Sequence, residues 1–148
     1  MSLKMTKAER EAFLADLHVG VISIAEKDRG PLSAPIWYDY EPGGEVWILT
    51  GRDSRKGRLL AEAGRFSLVA QTEAAPYKYV SVEGPITSIE KPELERDERP
   101  MAHRYLGKEF GDGYIEATRA GEEVDNILVK MRPERWLTTD YAKQFAAG

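Results

Sequence analysis

The feature that most constrains the fold is a series of six short runs of strand-type residues along the chain. These runs are rich in β-branched and aromatic side chains and alternate between two faces, as β-strands do. Several are separated only by short clusters that contain Gly or Pro, which suit turns. Because parallel strands need long crossovers, this order predicts an antiparallel barrel rather than a doubly wound sheet. The predicted strands are residues 19–25, 33–40, 46–50, 65–72, 77–89 and 127–141, the last being one strand or two.

Helices are predicted before, between and after these strands. The first covers residues 6–17, with Thr6 as N-cap and Glu9 as its capping-box partner. A short helix follows the third strand, capped by Asp53 or Ser54 and ended by Gly64. Residues 92–106 and 113–120 are predicted to form two more helices, each with a solvated side. The expected fold class is therefore mainly β with added α structure.

Composition sets limits on the class of protein. The chain has 148 residues, 42% of them hydrophobic, so we expect residues 1–148 to form a single domain with a core of its own. No apolar run approaches the ~20 residues that span a bilayer, so no membrane segment is predicted. The formal charge of −4 argues against general nucleic-acid binding. The absence of cysteine fits a reducing compartment, and we expect the protein to be cytoplasmic.

Several kinds of catalytic site are excluded by residue type. Without cysteine there is no thiolate ligand and no thiol nucleophile. His18 and His103 have no further His or Cys at ligand spacing, so no metal site is predicted. The sequence also contains no Gly-x-Ser-x-Gly elbow, no Walker A loop and no Gly-x-Gly-x-x-Gly after a strand.

The one concentrated positive patch begins where the third strand ends. Thr50 is followed by a glycine and then by a helix start at Ser54, Arg55 and Lys56, with Arg52 and Arg58 beside it. Hydroxyls, helix N–H groups and cations at one place suit a phosphate group. The pattern fits equally well a solvated first turn in which Arg55 and Lys56 pair with Asp53 or Glu62.

Four segments stand in an order that resembles a known family. Residues 46–50, 54–60, 65–69 and 79–84 read VWILT, SRKGRLL, RFSLV and YVSVEG. Together they resemble the flavin-binding split-barrel family of pyridoxamine 5′-phosphate oxidase, over about residues 5–141. The resemblance implies a six-stranded antiparallel split barrel and a homodimer with two cofactor sites across the subunit interface.

The resemblance also implies which residues bind the cofactor. Thr50 and the Ser54-Arg55-Lys56 run correspond to the phosphate site, and residues 33–37 run beside the ring. Tyr79 falls where relatives contact the cofactor from an adjacent strand. No catalytic residue is assigned, and Tyr79, Lys78 or water are the candidate proton donors. Trp37, Tyr38 and Tyr77 are candidates for the wall of the substrate space, although an aromatic residue on a strand belongs more often to the core. The implied cofactor-binding residues are Ser33, Pro35, Trp37, Leu49, Thr50, Ser54, Arg55, Lys56 and Tyr79.

Within the family, the sequence departs from the oxidases themselves. It lacks their Arg-Leu-x-Pro segment after the last tryptophan, and residues 30–38 and 132–141 look more like the actinobacterial branch that uses the deazaflavin F420. The resemblance thus favours hydride transfer from reduced F420 to an unsaturated small molecule, in a chemistry that belongs to the cofactor and needs no nucleophile. Two alternatives stay open: an FMN-dependent oxidoreductase, and a protein that binds F420 or flavin without turnover.

Overall fold

A computed structural model of the chain describes residues 2–119 and 125–145. The helices are α1 (Lys7–Ala15), α2 (Arg55–Ala63) and α3 (Arg99–Arg119). A π-helical turn (Leu94–Glu98) leads into α3, and a 3-10 turn (Tyr141–Gln144) follows the last strand. The strands are β1 (Gly20–Ile24), β2 (Leu32–Ile36), β3 (Tyr38–Asp39), β4 (Val46–Gly51), β5 (Arg65–Gln71), β6 (Lys78–Glu90), β7 (Asn126–Met131) and β8 (Arg135–Asp140).

All strand pairs are antiparallel, and the long strand β6 belongs to two sheets. Its first part pairs with β5 and β8, and the first sheet runs β2-β1-β5-β6-β8. Its last part pairs with β7, and the second sheet runs β6-β7-β4-β3. The pairing of β6 with β7 has a register shift between Ile86 and Ser88. Near the division, a Cβ at Gly84 would lie 1.8 Å from the Arg132 carbonyl oxygen. A glycine is therefore required for this close backbone approach. The division of the strands into two sheets that share β6 confirms the predicted split-barrel arrangement.

The number of strands differs from the predicted six, because two of the predicted strands are divided. The run 33–40 is interrupted at Trp37, since the N–H of Tyr38 donates to the Tyr105 hydroxyl (3.0 Å) and its carbonyl accepts from the same hydroxyl (3.0 Å). The run 127–141 forms β7 and β8, with a break at 132–134 that contains Pro133. The expectation of six strands was wrong, and that of an antiparallel fold of strands with helices is confirmed.

The core lies between the two sheets and α1. Inward-facing residues of the strands, among them Ile22, Leu68 and Val80, are fully buried. Leu14 of α1 is also fully buried, which contributes about 1.5–3 kcal/mol to stability. The phenol of Tyr38 lies in this core and donates a hydrogen bond to the Leu14 carbonyl (2.7 Å). The helix is thereby fixed against the barrel.

α3 is a helical hairpin. Gly107 has φ 80° and ψ 171°, a backbone conformation that other residues rarely adopt. The second arm packs against the first so closely that a Cβ at Gly111 would lie 2.7 Å from the His103 ring. Asp112 accepts hydrogen bonds from Arg99 (2.8 Å) and His103 (2.6 Å), which hold the pKa of that carboxyl below its usual range. The second helical arm therefore begins earlier than the predicted residue 113.

The outer face of the first sheet carries a row of residues in register across all five strands. Two apolar members of this row are exposed, Val21 by 39% and Leu137, on the edge strand β8, by 61%. Such a face is a candidate for contact with another protein surface. The outer row consists of Pro35, Val21, Val69, Ser81 and Leu137.

Among the described helices, none is both long and apolar enough to cross a membrane.

The predicted cap of α1 is confirmed and extended by a contact with the C-terminal turn. The N–H of Glu9 donates to the Thr6 hydroxyl (3.2 Å), and the N–H of Thr6 donates to the Glu9 carboxylate (2.7 Å). The Lys143 ammonium also reaches this carboxylate (2.6 Å). The hydrogen bonds from Lys143 and from the Thr6 N–H lower the pKa of Glu9 to about 2. A lowered carboxyl pKa stabilises the folded state above the unfolded pKa, and this contribution is lost as pH falls towards the folded pKa.

We expect Glu9→Gln to lower the thermal midpoint at about pH 7, because it removes a charge held by two donors. The difference from the parent protein should shrink as pH falls from the ordinary carboxyl pKa of 4.5 towards the folded pKa of about 2. Circular dichroism melts over this pH range measure both effects. Glu11→Gln on the same helix is the matched control, and an equal loss in both variants at all pH values would contradict the prediction.

Candidate functional site

The predicted phosphate-binding corner is formed by the end of β4 and the start of α2. Thr50 is 8% exposed, and its hydroxyl lies 3.3 Å from the hydroxyl of Ser54. Ser54 is the N-cap of α2: its hydroxyl accepts from the N–H of Gly57 (3.0 Å) and donates to the Gly51 carbonyl (2.7 Å). Of the two predicted caps, the structure selects Ser54. Its proton is already donated, so an anion bound here must compete with the Gly51 carbonyl.

Gly57 is a residue of this corner that sequence reasoning missed. A Cβ at this position would lie 2.1 Å from the Gly51 carbonyl oxygen and 2.6 Å from that of Arg52. The first turn of α2 thus rests directly on the backbone of the preceding turn. The signal in the sequence is a glycine inside a predicted helix. Such a glycine costs about 1 kcal/mol relative to alanine, so its presence indicates that close packing leaves no room for a side chain.

The cations of the corner fall into two groups. Arg55 donates to the Glu26 carboxylate (2.5 Å), and Arg52 donates to Asp125 from both its side chain (3.0 Å) and its backbone N–H (2.8 Å). The expectation that Arg55 pairs with Asp53 or Glu62 is therefore wrong. Lys56 and Arg58 form no salt bridge with any residue in 2–119 or 125–145.

Three donors at the start of α2 can reach an anion bound at this corner. The N–H groups of Arg55 and Lys56 are the first two of α2 and have no acceptor within the helix. The half-buried Lys56 side chain adds a compact charge, and the helix dipole favours an anion here. Arg55 can add a fourth donor, because only its Nη2 is engaged with Glu26.

A cavity of about 920 Å³ opens beside this corner. Trp37, Leu49 and Thr50 line one side, and the hairpin α3 forms the opposite side. A smaller cavity of about 260 Å³ adjoins it and is lined by Pro35. Trp37, Leu49 and Tyr114 line both cavities. The structure therefore brings four of the predicted cofactor-binding residues together: Pro35, Trp37, Leu49 and Thr50.

The indole of Trp37 is held in place by Tyr105. The two rings stack with centroids 4.9 Å apart and planes 3° apart. The Tyr105 hydroxyl lies within hydrogen-bond distance of the His18 carbonyl (2.6 Å) and of both backbone polar groups of Tyr38. Burial raises the pKa of this phenol, which therefore keeps its proton as a donor. Tyr105 is a second residue that the sequence did not single out.

Other predicted residues lie elsewhere in the chain. Ser33 is on the outer face of the first sheet, where its hydroxyl meets that of Ser23 (3.0 Å). Lys78 and Tyr79 are on β6, three strands from β2, or ~14 Å across the sheet. Neither lines the two cavities. Within one chain, the candidate proton donors are thus separate from Trp37.

Two aromatic residues expected at the substrate wall are not there. Tyr38 is fully buried, so it belongs to the core, which is the commoner place for an aromatic residue on a strand, and not to the wall. Tyr77 is 52% exposed just before β6 and lines neither cavity. Tyr114 of α3 lines both cavities instead.

The two histidines have local partners. His18 stacks on Phe13 with ring centroids 4.5 Å apart, at the end of α1 as expected. His103 contacts Asp112 within the α3 hairpin. In the part of the chain that the structure describes, no three His, Asp or Glu side chains form a group that could hold a metal ion.

Comparison with known proteins identifies the family. The family model described as pyridoxamine 5′-phosphate oxidase matches residues 6–140. The chain belongs to this family, which binds flavin-type cofactors and includes oxidoreductases. No curated protein matches the sequence significantly.

Solved structures share the fold at low sequence identity. A conserved hypothetical protein, Rv2991 of Mycobacterium tuberculosis, is 21% identical with a TM-score of 0.77, over 97% of this chain and 90% of that one. A protein named F420 reductase is 16% identical with a TM-score of 0.59, over 86% and 94% of the two chains. An FAD-binding protein of Mesorhizobium loti is 15% identical with a TM-score of 0.62, over 91% and 94%. These likenesses confirm the fold.

We expect Gly57→Ala to destabilise the protein by about 1–3 kcal/mol, because the added methyl group overlaps the carbonyl oxygens of Gly51 and Arg52. Chemical denaturation measures the change in the free energy of unfolding. Gly30→Ala is the matched control, since a Cβ there meets nothing within 4 Å. Equal stability of the two variants would show that the corner can relax around a side chain.

Proposed function

We propose that the protein is an F420-dependent oxidoreductase that transfers a hydride from reduced F420 to an unsaturated small molecule. The observation that carries the proposal is the position of the large cavity: residues implied for the cofactor ring line one of its sides, directly before the cationic start of α2. Membership of a family that binds flavin-type cofactors supports it, as does the fold shared with a protein named F420 reductase.

The residues present fit a phosphate-bearing tricyclic cofactor. Lys56 and the first N–H groups of α2 would hold the phosphate, with Thr50 and Ser54 next to it. Leu49, Trp37 and Pro35 would border the ring, whereas Ser33, on the outer face of β2, could reach it only at the subunit interface proposed below. Arg52 and Arg58 are available for the acidic tail that distinguishes F420 from FMN, although Arg52 must then share its charge with Asp125.

In this mechanism the protein supplies position rather than a nucleophile. Bound F420 supplies the hydride. The Trp37–Tyr105 stack fixes one side of the cavity, and residues of α3 line the other. Holding an acceptor at reacting distance in a dry pocket lowers the barrier by several kcal/mol. A proton must also reach the reduced product, and Tyr79, Lys78 or water remain the proposed sources.

We further propose that the protein is a homodimer that places its cofactor sites at the subunit interface. Tyr79 and Lys78 lie ~14 Å across the sheet from β2, too far to touch a ring bound near Trp37 of the same chain. The outer row lies on the same face of the sheet as Tyr79 and is partly exposed. Pairing of two such faces would bring Tyr79 of the partner subunit towards the site.

Two other functions give different results in solution. An FMN-dependent enzyme would bind FMN more tightly than F420 and would be yellow when purified. A protein that binds F420 or flavin without turnover would take up the cofactor tightly yet leave F420H2 unoxidised with every acceptor tried. Titration with F420 and with FMN, followed by an F420H2 oxidation assay, separates the three.

We expect Lys56→Ala to weaken F420 binding by about 1–3 kcal/mol, because it removes a charge-assisted hydrogen bond to phosphate. Fluorescence titration with F420 measures the loss. Lys7→Ala, at an exposed lysine of α1, is the matched control. Glu26→Gln should have the opposite effect, because it releases Arg55 from its salt bridge. Unchanged F420 affinity in Lys56→Ala would assign the lysine to the solvated surface.

We expect the wild-type protein to be dimeric and Leu137→Glu to shift it towards monomer, because the change buries an unpaired charge in the proposed interface. Light scattering coupled to size-exclusion chromatography measures the mass. Ile89→Glu is the matched control, since Ile89 is 39% exposed but lies in the part of β6 that pairs within the second sheet. A monomeric wild type, or two variants that behave alike, would contradict this arrangement.

A further inference from the structure

The α3 side of the large cavity has no role in holding the proposed cofactor. All residues implied for the cofactor lie on the strands, at the break between β2 and β3, on the turn after β4 or on α2, whereas this side is built by Met101, Ala102, Tyr114, Ile115 and Thr118. A cavity of about 920 Å³ is at the upper end of the range for small-molecule sites. It therefore has room for a second molecule beside a ring that rests against Leu49.

The inner part of this cavity suits a flat, unsaturated molecule. Its walls are Leu49, Met101 and Ile115, together with two aromatic rings, Trp37 and Tyr114. The centroids of these rings are 5.4 Å apart and their planes are inclined by 52°, so the two rings contact each other and form one aromatic wall of the cavity. Aromatic ligands prefer such stacked and edge contacts. The Met101 side chain can adapt to the outline of a ring.

The rim of the cavity carries charge, and most of it is already paired. Arg119 forms a salt bridge with Glu98, and Asp125 forms one with Arg52. Lys91 makes no salt bridge with any residue of the two described ranges. Its ammonium is thus the rim charge that a ligand can neutralise, and Asn126 stands on the same rim as a neutral donor. A carboxylate would be attracted here, and an ammonium group would be repelled.

We propose that the α3 side of this cavity binds the acceptor, and that the acceptor is a flat unsaturated carboxylate whose ring packs against the Trp37–Tyr114 pair and whose carboxylate meets Lys91. The assignment of this ligand as the acceptor rests on the proposed function. Recognition of a flat carboxylate by the cavity does not require the cofactor, so the two can be tested apart.

The test uses three probes of the same shape: naphthalene-2-carboxylate, naphthalene-2-methanol and 2-naphthylmethylamine. We expect calorimetric titration of the full chain to give the order carboxylate, alcohol, amine, with about fivefold between the first two, as for an exposed ion pair. Lys91→Gln should abolish the preference for the carboxylate. Lys108→Gln, an exposed lysine at the turn of the α3 hairpin, should retain it.

A second variant tests the position of the ring. Thr118 is exposed on α3 and lines the cavity, so Thr118→Trp should fill the space without disturbing the core and should weaken all three probes at least tenfold. Circular dichroism confirms that each variant is folded. The proposal is overturned if no probe binds to the wild type, if the alcohol binds as tightly as the carboxylate, or if Lys91→Gln or Thr118→Trp leaves binding unchanged.

F420 and FMN titrations of the same proteins separate this proposal from the proposed function. Lys91→Gln should leave the cofactor affinities unchanged, because Lys91 is not among the residues implied for the cofactor. Probe binding as expected, without uptake of either cofactor, would overturn the redox function and keep the carboxylate site. Cofactor binding without the expected preference among probes would overturn the carboxylate site alone.

Discussion

The structure depends on one strand that serves two sheets. β6 pairs with β5 and β8 along its first part and with β7 along its last part, so the hydrogen-bonded ladder changes partner within a single strand. This change is possible because the backbone of Arg132 can approach Gly84, where any side chain would collide. The division of the barrel sets β4 and its following turn beside the helical hairpin. The cavity between them is a result of this division.

The sequence predicted the parts of the fold that are determined locally. The capping box of Thr6 and Glu9, the cap at Ser54 and the strand alternation are properties of neighbouring residues, and all are found in the structure. The break at Trp37 was missed because its cause, the Tyr105 hydroxyl, is 67 residues from Tyr38 along the chain. The alternation of residues 33–40 alone therefore gave one strand where there are two.

Prediction of the candidate site from the sequence was limited in the same way. The residues drawn from the turn after β4 are adjacent in sequence, and they meet in space as expected. Arg55 pairs with Glu26, which is 29 residues away, so its partner could not be found by inspecting nearby carboxylates. Tyr114 could not be assigned to the cavity, because its position depends on the reversal of α3 at Gly107. Contacts set by the tertiary fold, rather than by residue type, account for what the sequence did not reveal.

The hairpin form of α3 keeps the cavity wall that it supplies separate from the β4–α2 corner. The arms are tied to each other through Asp112, Arg99 and His103, and to the π-helical turn through Arg119 and Glu98. None of these ties involves the β4–α2 corner. Residues facing the cavity from α3 can therefore be exchanged with little effect on the strands that bear the corner. A scaffold arranged in this way is suited to redesign, in which one hairpin is varied to accept new molecules while the β4–α2 corner is left as it is.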